Sequence, residues 1–203
     1  MKKPPRMSLV VLMLWTYMSV PFGEARVRAG TQPSHAEERR PSGRSLEVGD
    51  RAPEFTLPSL GGKTDTLSSH KDETVLLWFT NLCGGCQAAL PEVQNLGRRY
   101  AAKGVSVLAV SLLGGDTTTV SSIARKQRVT FPMLIDPEGR VYEQYGGVKV
   151  PPGTCPANPQ FFIIDNGLIA YAAHFPGAPI DEIRKEVDSL IGARKPHPPR
   201  DPN

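Results

Sequence analysis

Two cysteines separated by two glycines, Cys83-Gly84-Gly85-Cys86, are the residues of this chain whose type and spacing most plainly do chemistry. A thiolate attacks a disulfide through a mixed-disulfide intermediate, and a second thiol close by resolves that intermediate. The ring that a Cys-x-x-Cys disulfide closes is too short to remove much unfolded-state entropy, so the pair suits reversible exchange better than stapling. The competing reading is half of a zinc site. Zinc needs two further ligands at compatible spacing, and the chain offers only Cys155 and four scattered histidines.

The elements around the pair place it. Val75-Leu76-Leu77-Trp78-Phe79-Thr80 is a short continuous apolar run, as in a strand covered on both faces. A helical pattern follows the cysteines, with Ala88, Leu90, Val93, Leu96, Tyr100 and Ala101. Cys83 therefore stands at a strand-to-helix junction, where unpaired N–H groups and the helix dipole favour an anion. Cys86 lies one turn inward on the same face. Val105 to Leu113 reads as a second buried strand, and about Thr118 to Arg128 as a helix. Phe131 to Ile135 and a short segment around Val141 to Tyr145 come next. Phe161 to Ile164 and Leu168 to Ala172 flank Asp165-Asn166-Gly167, a hairpin signal, and a last amphipathic helix covers about Asp181 to Ile191. This order predicts an α/β sandwich with a mixed central β-sheet flanked by helices.

The ends read differently. Met1-Lys2-Lys3-Pro4-Pro5-Arg6, an apolar run from Met7 to Val20, and small residues at Gly23 and Ala25 have the form of a secretory leader. The run is shorter than the ~20 residues of a membrane span. We expect a signal peptide over 1–25, a flexible linker over 26–45, one domain over 46–193 and a disordered tail over 194–203. The product is expected to be exported to the periplasm or secreted, with an N-terminal anchor as the alternative if the leader stays uncleaved. Cleavage would remove three cations and one anion, lowering the net charge from +4 to +2. So weak and dispersed an excess argues against nucleic acid or a membrane surface as a partner.

Val48-Gly49-Asp50-Arg51-Ala52-Pro53-Glu54-Phe55-Thr56-Leu57-Pro58, then Gly61-Gly62-Lys63, then Val75 to Pro91, resemble the thioredoxin-like proteins of TlpA/ResA type within the redoxin (AhpC/TSA) group. The resemblance covers about residues 46 to 192. It implies a thioredoxin-like fold and an enzyme, a thiol:disulfide oxidoreductase, with Cys83 as nucleophile and Cys86 as resolving thiol. Pro91 matches the family's proline within the cysteine helix. Asn158-Pro159-Gln160-Phe161 resembles the segment carrying the family's cis-proline, so Pro159, with Asn158, is the expected substrate-groove residue. The implied partners are protein thiols or disulfides and an upstream electron donor or acceptor protein, with no cofactor and no resident metal.

Three family helpers are replaced. Leu77 stands where thioredoxins place a buried Asp, Ala89 where ResA-type proteins place a Glu, and Leu82 where a Trp is usual. The general acid/base is therefore unassigned, and the thiolate must depend mainly on the helix N-terminus. Cys155, in Pro151-Pro152-Gly153-Thr154-Cys155-Pro156, is expected to be a quiet thiol held apart by the crowding prolines, with exchange against Cys83 as an auxiliary thiol the alternative. Thr80-Asn81-Leu82-Cys83 matches the Thr-x-x-Cys part of the peroxiredoxin signature, although Leu76 replaces its proline; Thr80 is read as a sheet residue. A thiol peroxidase and a Sco-like copper-binding chaperone are the alternative functions.

Overall fold

Every residue of Thr74–Thr80 is buried, which needs cover on both faces of the sheet and a hydrogen-bonded neighbour on each side. The computed structural model supplies both. It describes residues 46–151, 154–156, 160–175 and 180–193, all within a compact unit spanning 40–203. The expected leader, linker and tail, and the expected groove residues Asn158 and Pro159, lie outside the described residues.

Strands β1 (Thr56–Pro58) and β2 (Thr64–Thr66) form a small antiparallel hairpin. The main sheet has the order β5-β4-β3-β6-β7, with β3 (Thr74–Thr80) at its centre, β4 (Val105–Ser111), β5 (Met133–Ile135), β6 (Phe161–Asp165) and β7 (Leu168–Ala173). β3, β4 and β5 are parallel; β6 runs antiparallel to β3, and β7 to β6. The mixed sheet expected from the apolar runs is present. Between β6 and β7 the turn residues Asn166 and Gly167 have φ of 52° and 75°, the left-handed pair a tight two-residue hairpin requires.

Side chains alternate across β3, and this divides the core. Leu76 and Trp78 face a cluster with Leu90, Val93, Leu96 and Tyr100 of α1 (Gly84–Tyr100) and Ile183 and Val187 of α4 (Ile180–Ala193). Val120 of α2 (Thr117–Lys126) joins the same cluster. Val75, Leu77 and Phe79 face the other way, against Phe55, Leu57, Tyr142, Tyr145 and Phe162. The segment expected around Val141 to Tyr145 is a short helix, α3 (Arg140–Gln144). Asp136 holds its start by accepting from the N–H groups of Arg140, Val141 and Tyr142.

The helix that carries the cysteines starts at the carboxyl end of β3 after a three-residue connection, Asn81, Leu82 and Cys83. Pro91 sits inside α1, where its ring replaces an N–H the helix would otherwise bond. α1 continues through this point to Tyr100. Leu90 and Val93 on either side of Pro91 are fully buried, so packing on β3 offsets the missing bond.

Candidate active site

Cys83 is the N-cap of α1, with extended backbone (φ −62°, ψ 170°), and its carbonyl accepts the first helical bond from Gln87 at 2.9 Å. Its side chain makes no cap hydrogen bond, but the residue stands at the positive end of the helix dipole, and no acidic residue in the first turn opposes a negative charge. Cys86, one turn on, is completely buried, and its Sγ lies 3.3 Å from that of Cys83.

Cys83 is disulfide-bonded to Cys155, 72 residues away, with their Cα atoms 6.0 Å apart. The free thiol is Cys86. This corrects the expectation of a quiet Cys155 held apart by prolines: the loop carries Cys155 onto the end of β3. All three sulfurs fall within 4.8 Å of one another. Cys83 is thereby the sulfur shared by two neighbours, one bonded to it and one adjacent.

What brings the Cys155 loop there is Asn81, whose type and position in the sequence did not single it out for this role. Buried at the end of β3, its Nδ2 donates to the carbonyls of both Pro151 (3.1 Å) and Thr154. One amide therefore ties two points of the loop to the junction that presents Cys83. The only available signal was the residue type, because an Asn in a connection is ordinarily read as turn chemistry.

Leu82, where the family's Trp usually stands, is buried and has φ of 48°, a left-handed backbone uncommon for a leucine. Two bonds hold it. Its N–H donates to Thr80 Oγ1 at 3.1 Å, and its carbonyl accepts from Gln87 Nε2 at 2.8 Å. This turn sharpens the exit from β3 and aims Cys83 at the start of the helix. Thr80 is the last residue of β3, as expected, and its hydroxyl is engaged by Leu82. Leu77 and Ala89, at the positions of the family's acid/base groups, are buried apolar residues. The electrostatic support for a Cys83 thiolate comes from the helix terminus.

The sulfur trio could also hold a metal once reduced. Three thiolates are a soft donor set suited to Cu(I) or zinc, but the Cys83–Cys155 bond occupies two of the three. Disulfide and metal are therefore mutually exclusive states of this site. His174 is exposed and adds nothing to the trio.

Residues 48–172 match the AhpC/TSA family. The chain belongs to that family. Its relatives within and around the family include the thiol-disulfide oxidoreductase ResA of Geobacillus thermodenitrificans, 32% identical over 108 residues, covering 53% of this chain and 62% of that one. Peroxiredoxin Q of Triticum aestivum is 28% identical over 128 residues, covering 62% of this chain and 58% of that one. The chain thus spans about three-fifths of the length of the curated relatives it matches. Among solved structures, the Chlorobium tepidum protein assigned as thiol:disulfide interchange protein DsbE superposes with a TM-score of 0.63 at 27% identity, covering 73% of this chain and all of that one. The AhpC/TSA match and this superposition agree with the mixed sheet and flanking helices described above. Among the described residues, no helix is long and apolar enough to cross a membrane.

Proposed function

We propose that the protein is an exported thiol:disulfide oxidoreductase that exchanges disulfides with protein substrates through Cys83. The observation that carries this reading is the position of the Cys83 sulfur: at a helix N-cap, bonded to one cysteine and 3.3 Å from another. In the reducing direction, Cys83 thiolate attacks a substrate disulfide, forming a mixed disulfide and releasing one substrate thiolate. A neighbouring thiolate then attacks Cys83 Sγ, forms an internal disulfide and releases the second. In the oxidising direction the internal disulfide is consumed and a substrate dithiol becomes a disulfide. Both Cys86 and Cys155 stand close enough to serve as the resolving thiol.

Export rests on the leader pattern of residues 1–25. Asn158 and Pro159 are groove residues on this reading because they directly precede Gln160, whose carbonyl accepts from Phe79 N–H near the end of β3, the strand that leads into Cys83. The partners are protein thiols or disulfides and a protein that recharges the couple. Insulin reduction tests the assignment. Wild-type protein should catalyse it, and Cys83→Ser should fall to the uncatalysed rate; activity that persists unchanged in that variant sinks the mechanism.

Two other readings have specific support and are measured on the same samples. The three clustered sulfurs favour Cu(I) capture by the reduced protein. Stoichiometric Cu(I) retained through dialysis, without disulfide exchange, would select that reading. The peroxiredoxin Q relationship favours a thiol peroxidase, which Cys83-dependent consumption of hydrogen peroxide would establish.

A further inference from the structure

We infer that Cys155, not Cys83, is the sulfur that meets an incoming thiol when the protein is in its disulfide form. The inference rests on the thiol:disulfide exchange reading and assigns its point of contact. Two independent features of the site select Cys155.

The first is access. Of the two bonded cysteines, Cys155 is exposed whereas Cys83 is 6% exposed, and Cys86 behind it is fully buried. Exchange requires an incoming thiolate to reach the sulfur it attacks. An external thiol, above all one carried on a folded protein, meets the exposed Cys155 before it can reach the buried Cys83.

The second is the leaving group. Attack on Cys155 expels Cys83, and attack on Cys83 expels Cys155; the sulfur that leaves faster is the one better stabilised as a thiolate. Cys83 is the N-cap of α1, at the positive end of the helix dipole, with no acidic residue in the first turn. Cys155 lies in the connection between α3 and β6 and caps no helix of its own. Cys86 adds to the difference, because its thiol, 3.3 Å from Cys83 Sγ, is placed to donate to the departing thiolate.

The step balances within the site and its partner. An incoming thiolate forms a bond to Cys155 Sγ, the Cys83–Cys155 bond breaks, and the electron pair remains on Cys83 Sγ. If the partner carries a second thiol, its thiolate attacks the partner's own sulfur, closes a disulfide there and releases Cys155. The partner dithiol is oxidised, the internal disulfide is reduced, and the two protons the partner gives up end on Cys83 and Cys155. Cys155 is on this account a catalytic residue held in place by Asn81, and Cys83 is the leaving thiolate.

Glutathione serves as the test thiol. The full chain, as wild type and as Cys86→Ala, is oxidised and exposed briefly to reduced glutathione. The reaction is quenched with acid, free thiols are alkylated, and the adduct is mapped by peptide mass spectrometry. In Cys86→Ala only the Cys83–Cys155 pair can form, so the starting state is defined. The expected result in both proteins is glutathione on Cys155 with Cys83 alkylated, in at least about tenfold excess over the converse. Glutathione mainly on Cys83, with Cys155 alkylated, overturns the inference and leaves the exchange reading standing. Failure of either sulfur to form an adduct, or of the Cys83–Cys155 pair to form in Cys86→Ala, overturns the inference too, and the absence of any adduct removes the exchange reading with it.

Discussion

Replacing Asn81 by alanine should release the Cys155 loop and move the internal disulfide from Cys83–Cys155 toward Cys83–Cys86. The side chain makes two donations, to Pro151 O at 3.1 Å and to Thr154 O. Each such bond contributes about 0.5–1.5 kcal/mol net. Pro151 and Thr154 are exposed, so water can reclaim their carbonyls, and the net figure applies rather than the full penalty of a buried unpaired group. Together the two bonds favour the docked loop by about 1–3 kcal/mol, which at 1.4 kcal/mol per factor of ten is roughly 5- to 150-fold in the disulfide equilibrium. The isosteric Asn81→Asp should act in the same direction, since it substitutes an acceptor for a donor without opening a cavity. The assay equilibrates oxidised protein anaerobically, quenches with acid and alkylates. Mass spectrometry then compares the fraction of molecules with Cys155 free against the fraction with Cys86 free. A ratio within twofold of wild type in both variants would show that Asn81 does not hold the loop.

A Cβ at Gly84 meets nothing within 4 Å, and the residue opens α1 without a left-handed backbone, so Gly84→Ala should stabilise the protein by about 0.4–1 kcal/mol in urea unfolding. Trp78 is fully buried and packs edge-on against Phe175 with ring centroids 5.6 Å apart; Trp78→Ala should cost about 3–5 kcal/mol in the same measurement. His70 lies between Asp65 and Glu73 at 2.9 Å from each. Burial opposes its charge, but the hydrogen bonds and charges of Glu73 and Asp65 outweigh that and raise its pKa above 6.5. A raised histidine pKa contributes stability that is fully present below the unfolded value and is lost as pH rises through the folded one. His70→Gln should therefore lose more stability below pH 6.5 than at alkaline pH above the raised folded value, where the ion-pair contribution is gone; an equal loss in both ranges would refute the ion-pair account.

The central strand was legible because an unbroken apolar run too short for a helix fits a strand covered on both faces, and α1 because its apolar period runs for several turns. The β6–β7 hairpin announced itself through Asn166-Gly167, the residues its backbone demands. The β1–β2 hairpin was not legible, nor was the helical character of the segment around Val141 to Tyr145, because neither is long enough to show a period. β1 and β2 have three residues each, and α3 has five, started by contacts from Asp136 rather than by amphipathicity. At the site, Cys83 and Cys86 were visible from spacing, whereas the partner across 72 residues was not. The prolines around Cys155 suggested a loop held away, and they are equally compatible with one held in place. Asn81, which decides between the two, acts through backbone carbonyls 70 and 73 residues distant that carry no side-chain signature. Leu82 hides its left-handed turn because leucine rarely adopts one and nothing in its type signals it.

The most direct measurement of the central claim is a titration of the protein's thiols against glutathione buffers of known potential, read by alkylation and mass. A Cys83-centred couple predicts a two-electron transition, tenfold per about 30 mV, that disappears in Cys83→Ser. Thiols that do not follow the buffer, or a two-electron transition that survives intact without Cys83, would contradict the account.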